Sequence, residues 1–196
     1  MYCIQLLTRP REYAEICAPI QTNGQEVGSL MLMNAAEWRE FRRMVKDIIP
    51  TVDAFRALES PTCGGVWVCA RNRDEGDRTM RHQPVGEMAP DSSEKRRVAS
   101  LVKILMLCES PGIETSWEVR DPDHDRWGGG VSIAQMDDIS ISGFPEDFDT
   151  ASVVYSLGCL NKISRNDAYR IVRKVTGALR CLDILETLHG QLSEAA

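Results

Sequence analysis

The chain has no apolar run approaching the roughly 20 residues of a membrane span. Its longest, Leu101 to Cys108, is interrupted by Lys103 and ends at Glu109, so no membrane partner is expected. The N-terminal stretch Met1-Tyr2-Cys3-Ile4-Gln5-Leu6-Leu7 lacks the basic start and small-residue cleavage site of a secretory signal. A cytoplasmic location is the corresponding expectation. Seven cysteines, at 3, 17, 63, 69, 108, 159 and 181, are odd in number and scattered, which argues against a disulfide framework and reads as buried reduced thiols. Five residues separate Cys63 from Cys69, no second such pair exists, and His82, His124 and His189 lie far apart. Zinc ligation lacks its spacing, and neither a metal nor a cofactor is expected.

Catalytic signatures are missing in equally specific ways. Gly128-Gly129-Gly130 leads to Val131 with neither the GxGxxG spacing nor the lysine of a phosphate loop. No GxSxG elbow marks a serine hydrolase. Asp121, Asp123 and Asp125 alternate like the opening of an EF-hand, but Arg126 takes the glycine position and Ser132 the place of the bidentate glutamate. The stretch reads instead as an acidic hairpin tip loosened by the three glycines. A thiol and a histidine that meet only in space leave no local trace, so an enzyme with an unrecognised active site stays as an alternative.

What is present is a chain of 196 residues, 43% hydrophobic, able to bury a core without metals or disulfides. One α+β domain over residues 1–196 is the expectation. Thr22-Asn23-Gly24-Gln25 reads as a hairpin turn that places Ile16, Ala18 and Ile20 opposite Met31, Ser29 and Val27, with another strand over Tyr2 to Thr8. Asn34 to Glu37 is a helix start, followed by Trp38, Phe41, Val45 and Ile48 at helical spacing until Pro50 ends the run, with a shorter helix over Thr51 to Glu59. Val66 to Ala70 suits a buried strand. Residues 71–90, polar and punctuated by Gly76, Pro84, Gly86 and Pro90, read as a long loop.

Asp91 to Glu94 starts a helix that runs to Pro111-Gly112 and lies across the sheet. Strands are expected at Thr115 to Arg120, Gly130 to Ala134 and Ile139 to Ser142, arranged as a meander. Pro145, with Glu146, Asp147 and Asp149 after it, opens a helix to about Leu160. Ser164 to Asp167 opens a last helix, with an apolar stripe from Ala168 through Leu188. The fold class is therefore an antiparallel sheet, built from the Asn-Gly hairpin and the central strands, packed against helices and closed by two antiparallel C-terminal helices.

Charge supplies the remaining signal. The net charge of −6 favours solubility and argues against general nucleic-acid affinity. Asp137, Asp138, Glu146, Asp147 and Asp149 cluster without a base, whereas Arg170, Arg173, Lys174 and Arg180 occupy a side of the last helix away from its apolar stripe. That side suits an acidic protein surface or a phosphate backbone. Trp127, beside the glycines, is a candidate exposed aromatic anchor. Long apolar stripes are also compatible with a homodimer.

The phrase Ile139-Ser140-Ile141-Ser142-Gly143-Phe144-Pro145-Glu146 and the compact layout look like small accessory proteins of phages and other mobile elements. The resemblance implies a protein that binds a host component and blocks a defence system. The expected function is a non-enzymatic protein-binding protein, an inhibitor, that uses Arg170, Arg173, Lys174, Arg180 and Trp127. A nucleic-acid-associated protein using the same basic face is the alternative.

Overall fold

A computed structural model describes residues 33–56, 64–72, 80–133, 137–175, 182–184 and 186–187. The Asn-Gly hairpin, the strand at Tyr2 to Thr8, and Arg180 lie outside them.

Helix α1 spans Ala35–Arg56. Asn34 Oδ1 accepts from the N–H groups of Ala36 (2.8 Å) and Glu37 (3.0 Å), and Glu37 Oε2 accepts from the Asn34 N–H (2.8 Å). This reciprocal cap satisfies donors that the first turn leaves over. Phe41, Val45, Ile48, Ile49 and Val52 are buried. The expected stop at Pro50 is corrected: one helix runs through it. Lys46 and Pro50 are both exposed, so the carbonyl that proline cannot serve faces water, while buried Ile49 and Val52 anchor the following turn.

Strands β1 (Gly65–Asn72), β2 (Met80–Gly86), β3 (Gly130–Ile133) and β4 (Asp137–Ser142) form an antiparallel sheet in the order β2-β1-β4-β3. Strand alternation sorts their side chains. Val66, Val68, Ala70, Val131, Ile133, Ile139 and Ile141 join the main core with Phe41, Phe148 and Val154. Across the sheet, Cys69 packs with Leu101 and Ile104 of α2 (Pro90–Glu109), and Ser140 Oγ donates to the Ser100 carbonyl at 2.7 Å. Helices thus cover both faces, which explains why β1 reads as an unbroken apolar run.

The long loop expected at 71–90 is corrected. Strand β1 continues to Asn72, and β2 occupies Met80–Gly86, paired from Arg71↔Met80 to Gly65↔Gly86. Polar Arg81, His82 and Gln83 hide this strand from sequence reasoning, as does Pro84. An edge strand tolerates proline where the missing donor points away from its neighbour. The strand expected at Thr115 to Arg120 is a 3-10 turn over Ser116–Val119. Thr115 only bridges to Val131, so no third meander strand extends the sheet beyond β3, while β4 pairs with β3 on one side and β1 on the other.

Helix α2 begins at Pro90, a residue that suits the first helical position. Helix α3 covers Glu146–Cys159 and packs on α4, Arg165–Val172, which Ser164 caps by accepting from the Asp167 N–H at 3.1 Å. The last helix does not run on unbroken. Lys174 N–H bonds to the Ile171 carbonyl (3.1 Å) and Val175 N–H to that of Val172 (3.0 Å), tightening the chain into turns. Among the described residues no helix is long and apolar enough to cross a membrane.

Candidate functional site

The segment 114–130 is built on aromatic and glycine contacts. Thr115 and Glu118 form a capping box around the 3-10 turn. Trp117 Nε1 donates to Thr150 Oγ1 of α3 at 2.9 Å. Gly128 crosses the face of that indole so closely that a Cβ would overlap the ring. At Gly129, φ is +107°, and a Cβ would stand 2.7 Å from both Asp149 Cβ and Lys103 Nζ. Gly130 N–H donates to Ser116 Oγ at 2.9 Å. The three glycines are buried. The expectation of a loosened tip is therefore corrected: these positions lack side chains because the backbone runs against packed ones.

Arg120 ties this segment to α3. Its Nε and Nη2 donate to Glu146 Oε2 and Oε1, each at 2.8 Å. The guanidinium carbon lies 5.2 Å from the Trp117 ring centroid and 5.6 Å from that of Trp127, within cation–π range of both. Glu146 Oε2 also accepts from the Gly128 N–H at 2.6 Å. Burial raises the Glu146 carboxyl, but Arg120 and the Gly128 N–H outweigh it and hold the group below the ordinary glutamate range. The acidic tip is closed by Asp121 and Arg126, whose backbones exchange two hydrogen bonds of 2.9 Å. Trp127, expected as an exposed anchor, is half-buried beside Arg120.

Helix α4 and the turn that follows it bring the basic residues to this same segment. Arg170 pairs with Glu114 and with Asp167 (2.8 Å), and Lys174 pairs with Glu114 (2.8 Å) and Glu118 (3.0 Å). Arg173 is exposed, with no ion pair among the described residues. Two of the residues read from sequence, Arg170 and Lys174, are thereby linked through Glu114 and Glu118 to the segment that carries Trp117, Arg120 and Trp127, with Arg173 beside them in the chain. Sequence reasoning missed Glu114, Glu118 and Arg120, which no local pattern distinguishes from solvated charges. Acids nearly match bases on this face, so it lacks the one-sided positive field of a phosphate-backbone site.

Buried polar groups elsewhere bear on catalysis. Lys103 and Asp149, each with a side chain 2% exposed, meet at 2.6 Å. Lys103 Nζ also donates to the Ile141 carbonyl (2.7 Å), and the Phe144 N–H donates to Asp149 Oδ1 (3.0 Å). Burial pushes the Asp149 carboxyl up to about 7 against the downward pull of Lys103 and the Phe144 N–H. The pair is sealed and satisfied.

His82 Nε2 lies 3.0 Å from Ser100 Oγ, as in a nucleophile–base pair. Yet Ser100 Oγ donates to the Arg97 carbonyl at 2.8 Å and is completely buried, so its proton and its position are both committed to structure. Cys108 sits between Arg71 and Asp138 (3.6 Å). Burial and that carboxylate push its thiol up to about 11, opposite to the activation a nucleophile needs. A shallow cavity beside β1 is lined by Met33, Trp38, Ala70, Arg71, Asn72, Arg81 and Asp137, which includes neither His82 nor Cys108. Among the described residues no group of histidine, cysteine or carboxylate side chains could hold a metal ion.

No family model matches the chain, and no curated protein or solved structure matches it either.

Proposed function

We propose that this is a non-enzymatic binding protein whose docking surface joins the basic side of α4 to the Trp117–Arg120–Trp127 segment. One observation carries the reading: Glu114 and Glu118 tie Arg170 and Lys174 to that segment, with Arg173 exposed and Trp127 half-buried. Tryptophan and arginine are the side chains most enriched in protein hot spots, and mixed charge suits a protein partner better than a polyanion. The finer form of the proposal is an inhibitor of phage or mobile-element origin acting on a host defence component. Its support is the resemblance of Ile139 to Glu146. That stretch forms β4 and the turn into α3, so it speaks for a shared framework rather than for a contact.

A photo-crosslinking side chain placed at position 173, with a control at exposed position 46 of α1, tests the surface in cells. A discrete protein adduct at 173, absent at 46 and lost on Trp127→Ala, is the expected result. Adducts to nucleic acid alone, or the same adducts at both positions, reject it.

A further inference from the structure

From the geometry around Arg120 we infer that this residue is a preorganised clasp for a carboxylate on the partner, a side chain of aspartate or glutamate lying next to an apolar group. The inference rests on the docking surface proposed above and names the chemistry that its centre accepts. A guanidinium has two donor edges that can each take a carboxylate in a fork. Glu146 uses the Nε–Nη2 edge at 2.8 Å on both bonds, while Nη1 has no partner among the described residues. The side chain is 32% exposed, and the Nη1–Nη2 edge is the one that Glu146 leaves for a second carboxylate.

What distinguishes Arg120 from an ordinary surface arginine is that its position is already fixed. Trp117 and Trp127 both lie within 5.6 Å of the guanidinium, and Trp117 is itself held by Thr150 and by Gly128. Fixing a long side chain normally costs rotamer entropy when an interface forms. Here that ordering precedes binding. The Arg120–Glu146 pair is also oriented, with its carboxylate inward and its guanidinium outward. A partner therefore meets the positive end of a dipole, beside the partly exposed Trp127 ring. A carboxylate flanked by an apolar side chain satisfies both features at once. Exposed Arg173, next in the chain to the Lys174 that pairs with Glu118, adds positive charge nearby.

A random dodecapeptide display library selected on the full chain provides the probe. Enriched peptides should share an aspartate or glutamate beside an apolar residue. Arg120→Lys keeps a cation between the indoles but loses the fork, and should weaken the selected peptide on the order of tenfold. Pairing that variant with removal of the peptide's acid completes a double-mutant cycle. Direct contact gives non-additive losses, whereas a purely structural role for Arg120 gives additive ones. Near-UV circular dichroism of the variant should match the parent, and Arg120→Gln serves as a second variant if it does not.

Peptides that lack acids, or additive losses in the cycle, overturn the inference. If those peptides still lose binding to Arg173→Glu and Trp127→Ala, the docking surface stands and only the clasp falls. Peptides indifferent to all of these substitutions, or no enrichment at all, overturn both.

Discussion

Replacing Lys103 with methionine keeps most of the stem's volume and deletes the ammonium that neutralises Asp149. Both side chains are 2% exposed and 2.6 Å apart, and Gly129 lies directly over them. Water therefore cannot take the place of the lost cation without lifting the 128–130 backbone. Breaking a buried pair on one side costs about 3–5 kcal/mol, because an uncompensated charge is left behind. Against a total stability of roughly 5–15 kcal/mol, that loss is easily read by urea denaturation with tryptophan fluorescence.

The sign of the pH dependence follows from Asp149. Burial already raises its carboxyl to about 7, and removing Lys103 takes away the strongest opposing influence. In the variant the fold prefers the protonated acid. The stability carried by that preference is fully present below the unfolded aspartate value, about 3.9, and is lost as pH rises through the folded one. Lys103→Met should therefore be less damaging at pH 5 than at pH 8. Adding Asp149→Asn keeps an acceptor for the Phe144 N–H and leaves no buried charge, so the double variant should recover at least half of the loss at pH 8. A cost below about 1 kcal/mol for Lys103→Met, or no recovery in the double variant, refutes this account of the pair.

Gly129→Ala combines a φ of +107° with a Cβ 2.7 Å from two side-chain atoms, whereas Gly112, at φ +94°, has nothing within 4 Å of an added Cβ. The first substitution should cost at least about 2 kcal/mol more than the second in urea midpoints, and equal losses would refute the close-packing explanation of the glycines. His82 is held down to about 4, chiefly by burial and secondarily by Arg97. Its depressed value means that the unfolded chain binds a proton the fold refuses, so stability should fall as pH drops from about 6.5 and level off below 4. His82→Gln should flatten that part of the profile, and an unchanged slope would remove His82 from it.

The helices and the central strands were legible because their signals are local and redundant. Asn34 and Glu37 cap α1 with the bonds their spacing implies, and the apolar content of Val66 to Ala70 survives in β1. Strand β2 was not legible. Its only apolar residue buried in the main core is Val85, and its place is set by pairing with β1, a non-local contact that outweighs intrinsic preference. The 3-10 turn at Ser116–Val119 misled for a related reason. Alternating Thr115, Trp117 and Val119 resemble a strand, while the Thr115–Glu118 capping box is the weaker pattern that the structure follows. Of the candidate site, cationic residues were visible from their helical spacing. Their partners were not, since Glu114 and Glu118 come from more than 50 residues away.

The acidic block before and within α3 shows how far one-dimensional charge can mislead. Read along the chain, Asp137, Asp138, Glu146, Asp147 and Asp149 form an acidic cluster without a base, but Asp137, Asp138 and Asp149 are buried. Glu146 and Asp149 stand three residues apart on one side of α3 and divide two tasks. Asp149 faces inward, where Lys103 neutralises it and Gly129 seals it. Glu146 faces the rim, where it orients Arg120 and holds the Gly128 N–H. The glycine run passes over both carboxylates, so the core ion pair and the surface arginine share one scaffold. Disturbing Asp149 should therefore reach Arg120 through the 128–130 backbone rather than through direct contact. Near-UV circular dichroism of Trp117 and Trp127 in Lys103→Met would register that transfer, and an unaltered tryptophan signal in a measurably destabilised variant would show the two carboxylates to act independently.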